Sequence, residues 1–290
     1  TGWDWELSVL GVDEDSTGRI LNSLDGARVD AALASSDPTL ALNVFQDGPG
    51  GTESLLRSLV ATPVVNSYSS DAIQGTAFVR GSPFATGAGN VEIVVGAEAR
   101  SEKMHFESRP SIILSSDRDS VSGFAEVRLP LFGGARRVRA IDRLALTVAG
   151  RYDEYSDAGG TFNPQYGIEW YPHRRLLLRG SYGTSFRAPS LFELYQPAVA
   201  RPTVVVDPHR GGAPSPITLL TGGNTELEPE EAEALTMGFV FRFDERTGSS
   251  VSASYWSVHQ DQRVQRLTNS LILINESLFP ERVIRAAPTP

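Results

Sequence analysis

The sequence predicts an all-β fold: an antiparallel up-and-down transmembrane β-barrel segment, a partial barrel, with long extracellular loops carrying short helices. Three observations predict it. Apolar and polar residues alternate with a period of two over many segments. Many of those segments reach the ~9–11 residues that a tilted, bilayer-crossing strand needs, against ~5–6 for an ordinary strand. The connections alternate between short turns and long, Pro/Gly-rich loops, as in outer-membrane barrels with short periplasmic turns and longer extracellular loops.

The alternation runs through the chain. Trp3, Trp5, Leu7 and Val9 interleave with Asp4, Glu6 and Ser8. Val91, Ile93, Val95, Ala97 and Ala99 interleave with Glu92, Gly96, Glu98 and Arg100. Further segments follow at 125–129, 144–153, 162–170, 175–187, 235–244 and 251–258, for roughly nine strands in all. Short connections are expected at Tyr171-Pro172-His173-Arg174 and at 244–248, and a moderate, basic one from Pro130 to Ala140. Long loops are expected from Gly11 to Ser70 and from Arg187 to Glu230. This pattern puts Trp170 and Phe243 near the periplasm, and Tyr155 and Phe186 near the outside. Aromatics at strand ends, including Tyr152, Tyr155, Trp170, Tyr171, Phe241, Phe243, Tyr255 and Trp256, fit interfacial girdles. Two short helices are expected inside the long loops. Residues 52–60 carry Leu55, Leu56, Leu59 and Val60 at helical spacing, and Ser190 with Glu193 forms a capping box.

Composition sets the exclusions. Hydrophobic residues make up 40% of the 290, and no apolar run is long enough to cross a bilayer as a helix. A net charge of -9 argues against nucleic acid as a partner. With no cysteine, disulfides and thiolate chemistry are ruled out. The four histidines, His105, His173, His209 and His259, lack a metal-ligand spacing, and no nucleophile elbow, phosphate loop or HExxH pattern occurs. No enzyme, cofactor or metal site is therefore expected. The acidic group Asp153, Glu154 and Asp157 reads as a solvated extracellular rim, and the run Glu226–Glu233 as a solvated strand start.

Two stretches carry a resemblance. One holds Arg151 to Tyr155, Thr161-Phe162-Asn163-Pro164-Gln165 and Ser185-Phe186-Arg187-Ala188-Pro189-Ser190. The other is Gly223-Asn224-Thr225-Glu226-Leu227-Glu228-Pro229-Glu230. In order and spacing they resemble the barrel signatures of TonB-dependent outer-membrane receptors, well over the later two-thirds and loosely over the first hundred residues. The resemblance implies a bacterial outer-membrane location and energy-coupled uptake of a scarce solute of the siderophore, haem, cobalamin or glycan class. Extracellular loops would bind the solute, and the partners would be the TonB complex, a lumenal plug domain and outer-membrane lipid. It also implies that residues 1–290 form one partial barrel domain, incomplete at both ends, since neither a plug nor a signal peptide precedes Thr1 in this sequence. The alternative is a passive porin-like or adhesin-like barrel without a plug; a soluble all-β binding domain or hydrolase would need shorter strands and a polar outer face.

The polar face of the strands supplies the candidate residues. Arg151, Gln165, Glu169 and Arg179 are expected to face the lumen and a plug. Tyr195 follows the capping box in the loop. Arg187, beside Ala188-Pro189, is the sharpest candidate: it either clamps a carboxylate, phosphate or plug backbone, or pins the loop helix through Glu193.

Overall fold

The structure is a computed structural model that describes residues 2–109, 112–243 and 248–285. Nine long antiparallel strands form its main sheet. They are β1 (Trp3–Ile20), β2 (Val64–Gly81), β5 (Glu92–Arg109), β6 (Ile112–Phe132), β7 (Arg143–Tyr155), β8 (Gly159–His173), β9 (Leu176–Arg187), β12 (Glu230–Arg242) and β13 (Ser250–Asp261). They run in the order β1-β2-β5-β6-β7-β8-β9-β12-β13, so β1 and β13 end the sheet and the barrel is not closed. The remaining strands pair in two small hairpins, β3 (Ala85–Thr86) with β4 (Gly89–Asn90), and β10 (Val199–Asp207) with β11 (Ala213–Thr221). Among the described residues there are also four short α-helices, α1 (Gly26–Ala34), α2 (Glu53–Ser58), α3 (Leu191–Tyr195) and α4 (Asn269–Ile274), and three single turns of 3-10 helix. Among the described residues no helix is long and apolar enough to cross a membrane. The main-sheet strands are 12 to 21 residues long, against the ~9–11 residues of a bilayer-crossing strand.

Pleating explains why the sequence alternates. The register Phe124↔Arg151↔Asn163 carries one face across β6, β7 and β8, and Ala149↔Gln165↔Gly183 carries it on to β9. The intervening positions form the other face, where Val121, Val148, Tyr152, Phe162, Ile168 and Met237 are all exposed. Exposed aliphatic and aromatic side chains in such numbers suit contact with lipid hydrocarbon rather than water.

The chain forms two compact units: Thr1–Gly11 with Ala72–Glu102 and Asp117–Pro290, and Val12–Asp71 with Lys103–Ser116. The second unit has its own small apolar core of Ala32, Leu55 and Leu59, with Val29, Leu42 and Leu56 packed on it. The helix expected at 52–60 is α2, and Thr52 caps it by accepting from the Leu55 N–H. The helix α1 has no counterpart in the sequence reading. It starts where Asp25 accepts from the Arg28 N–H, and Arg28 ties it to α2 through the Ser58 carbonyl at 2.9 Å.

Two expectations are corrected. The first long loop spans 21–63 and not Gly11 to Ser70, because β1 and β2 extend well beyond a membrane crossing. The second, from Arg187 to Glu230, is no plain loop: β10 and β11 pair over Val199↔Thr221 to Asp207↔Ala213. The expected turn at 244–248 falls mostly outside the described residues, although β12 and β13 pair around it as a hairpin. The opening Thr1 and the final residues 286–290 also lie outside them.

Candidate functional site

At the end of the sheet where the long loop leaves β9, two arginines organise the rim. Arg187 closes β9 opposite Glu230, the first residue of β12. Its Nε and Nη2 donate to Glu230 Oε2 and Oε1 at 2.8 and 3.0 Å, and Nη1 and Nη2 donate to Glu193 at 3.3 and 3.4 Å. Glu230, which is buried, also accepts from Gln260 Nε2 at 3.0 Å and from the Val264 N–H at 2.7 Å. One carboxylate thus joins β9, β12, β13 and the segment after β13. Two carboxylates, Glu230 and Glu193, thus occupy the Arg187 fork, and the second belongs to the loop helix.

The helix α3 forms as its sequence dictates. Ser190 accepts from the Glu193 N–H, and the Glu193 carboxylate reaches back to the Ser190 N–H at 2.7 Å. Burial raises the Glu193 carboxyl, but the hydrogen bonds from Ser190 and Arg187 outweigh it and hold the group below the usual carboxylate range. The second motif closes on the first: the N–H groups of Gly223 and Asn224 donate to the carbonyls of Gln196 and Glu193 at 2.7 and 2.9 Å.

The second organiser, Arg118 of β6, belongs to none of the motifs in the sequence. Its Nε and Nη2 grip Asp157 of the β7–β8 turn at 2.7 and 2.8 Å, and Nη2 also donates to the carbonyl of Pro189 at 2.7 Å. Glu102 lies 3.7 Å away, the guanidinium lies over the Tyr155 ring, and Pro189 is fully buried. Tyr195 donates its hydroxyl to Asp157 at 3.4 Å, and Tyr155 meets Phe186 edge-on at 5.4 Å. The solvated reading of the acidic group is therefore overturned for two of its members. Asp157 is held by a buried arginine. Asp153, 3% exposed, accepts from Ser122 at 2.6 Å and from Arg151 at 2.7 Å. Neither partner was legible, since Arg118 and Ser122 lie on β6, some thirty to forty residues away in sequence. Among the described residues, no group of three or more His, Cys, Asp or Glu is placed to hold a metal ion.

Arg151, Gln165, Glu169 and Arg179 lie on the polar face of β7, β8 and β9 and do not converge with Arg187 and Tyr195. Arg151 donates to Asp153, to Glu98 at 3.0 Å and to Ser122 at 2.8 Å. Glu169 stands opposite Arg179 in register and accepts from Arg128 at 2.9 Å; Arg179 reaches Ser254 at 3.5 Å. Gln165 and Arg151 border a cavity of about 490 Å³, together with Phe78, Glu98, Phe124 and Glu126. The polar wall is a lattice of opposite charges with an aromatic-floored recess.

A family model described as "TonB dependent receptor-like, beta-barrel" matches residues 30–279. The chain belongs to this family of TonB-dependent receptors, which are receptors and transporters of the bacterial outer membrane. No curated protein sequence matches it. Among solved structures, this TonB-dependent receptor barrel is similar to the siderophore receptor PirA from Pseudomonas aeruginosa, with 17% identity and a TM-score of 0.47 over 68% of this chain and 36% of that one. It is also similar to the RagAB peptide transporter, at 13% identity and a TM-score of 0.45 over 68% and 24%. A third is the siderophore receptor PirA from Acinetobacter baumannii, at 11% identity and a TM-score of 0.39 over 86% and 45%. The matched region is thus less than half the length of each of these structures.

Proposed function

We propose that the chain is the barrel part of a receptor that takes up a scarce solute across the outer membrane by energy coupling through the TonB complex. The solute is first caught by the loops 188–229 and 262–285. The observation that carries this reading is the Arg187–Glu230 node, which ties α3 of the first loop through Glu193, and Val264 of the second, to the ends of β9, β12 and β13. A mouth fixed in advance loses less conformational entropy when it binds than a floppy one does. Arg187 and Tyr195 then act as positioning residues for the rim. Arg151, Gln165, Glu169 and Arg179 face a plug in the lumen, where paired charges give a surface that holds polar protein without a dry, permanent seal. The solute belongs to the siderophore, haem, cobalamin or glycan class.

The test is uptake by the full-length receptor in cells with and without TonB, offered labelled ferric siderophores, haem, cobalamin and oligosaccharides in turn. The expected result is accumulation of one class only when TonB is present, with deletion of 199–221 reducing capture. Equal flux without TonB would overturn the reading in favour of a passive pore.

A further inference from the structure

The chain carries a net charge of -9, yet the end of the sheet opposite the long loops 188–229 and 262–285 is strongly basic. There the β6–β7 connection, 133–142, holds Arg136, Arg137 and Arg139, and Arg143 opens β7. The β8–β9 turn adds Arg174 and Arg175. All six are exposed. Asp142 is the one carboxylate among the described residues of these turns and of the neighbouring 82–91 connection. In sequence, the β12–β13 connection sets Arg242 and Arg246 against Asp244 and Glu245, so the excess is confined to the two turns.

Arg137, Arg174 and Arg143 gather around Asp142 and Tyr171, and Arg136, Arg139 and Arg175 lie on the same two turns. Asp142 lies 3.5 Å from Arg137 and 3.7 Å from Arg174, and its N–H donates to the Tyr171 carbonyl at 2.8 Å. Arg143 stacks over the Tyr171 ring at 4.0 Å. The Trp170 indole, on the apolar face, donates to the Ala140 carbonyl at 3.2 Å. A half-exposed tryptophan bonded into the turn marks the level of lipid headgroups. Guanidinium groups at that level, four of the six with no carboxylate partner among the described residues, match phosphate in both charge and fork geometry.

We propose that Arg136, Arg137, Arg139, Arg143, Arg174 and Arg175 form a binding surface for the phosphates of anionic phospholipids in the periplasmic leaflet of the outer membrane. The surface anchors the short-turn end of the barrel at a fixed depth. The binding requires neither solute nor TonB, so it stands or falls separately from transport.

The test uses the full-length receptor in detergent, with native mass spectrometry counting bound phosphatidylglycerol against phosphatidylcholine at equal mole fraction. The wild type is expected to retain phosphatidylglycerol selectively. Replacing Arg136, Arg137, Arg139, Arg174 and Arg175 by Gln is expected to weaken that binding roughly fivefold per arginine removed, less at high salt. The matching five-lysine variant keeps the charge and most of the selectivity, and a heat-dependent gel shift checks that each variant is folded. Equal retention of the two lipids by the wild type overturns the assignment, as does undiminished selectivity in the folded Gln variant. Tighter binding of lipid A than of phosphatidylglycerol overturns it by placing the turns at the outer leaflet. Binding of polyglutamate without lipid selectivity does so by pointing to an acidic protein partner.

Discussion

Arg118 and Asp157, 39 residues apart, form a two-pronged ion pair at 2.7 and 2.8 Å with side chains only 6% and 9% exposed. The same guanidinium takes the Pro189 carbonyl, so one side chain joins a strand, a hairpin turn and the start of the long loop.

Removing that arginine leaves the Asp157 carboxylate with only the long hydrogen bond from Tyr195, and the buried Pro189 carbonyl without its donor. Arg118→Met in the full-length receptor is expected to loosen the rim by ~3–5 kcal/mol. Hydrogen exchange across 188–196 would then speed up roughly a hundredfold or more. Arg118→Lys is expected to recover part of the loss, because it restores charge without the fork. Unchanged exchange in Arg118→Met would remove the pair from any role in holding α3.

Glu230 accepts from three separate segments, so Glu230→Gln is expected to act at a distance along the chain. Exchange should rise both at the Val264 amide and across α3, which loses the Glu230 arm of Arg187. Arg187→Lys should raise it at α3 alone. The pattern of affected amides is the measurement, and a change confined to β12 would contradict the shared node.

Arg285 joins two carboxylates, Asp207 at 2.8 Å and Glu276 at 2.6 Å, and thereby ties the segment after β13 to the β10–β11 hairpin. Hydrogen bonds from Arg285 are the main cause that holds both carboxyls below the usual carboxylate range. For a depressed carboxyl, the folded state binds fewer protons than the unfolded one as pH falls past the ordinary value near 4. The latch is therefore complete above about pH 5 and weakens only in stronger acid. Proteolysis of the hairpin should be flat from neutral pH down to that point and rise below it. Arg285→Gln should be cut faster at neutral pH and lose its difference from the wild type in acid.

Gly223 has no room for a side chain: an added Cβ would meet the carbonyl of Leu194. Gly223→Ala is expected to cost ~1–3 kcal/mol locally. The readout is faster exchange at Leu194 and Gln196 with the barrel strands unaffected.

The parts legible in the sequence were those set by short range. Ser190 and Glu193 sit three residues apart, and their reciprocal bonds follow from that spacing. The faces of β7 and β8 followed from alternation, since a pleated strand has no other way to segregate Val148 and Ile168 from Arg151 and Glu169. The β10–β11 hairpin was missed because Pro202, Pro214 and Pro216 argue against strands. A two-stranded hairpin tolerates them because each strand has a free edge where no N–H is needed.

By itself, then, the sequence determined most strands of the main sheet, their two faces, the cap of α3 and the family, because each is written in residues near one another or in a repeated period. Only the tertiary structure decided which charges meet. Arg118 with Asp157, Arg187 with Glu230 and Arg285 with Asp207 are chosen by strand register and loop return across 39 to 78 residues. Alternation does not encode that choice, since any arginine on the polar face satisfies the pattern equally well, and only the folded path brings one carboxylate within 3 Å of one guanidinium.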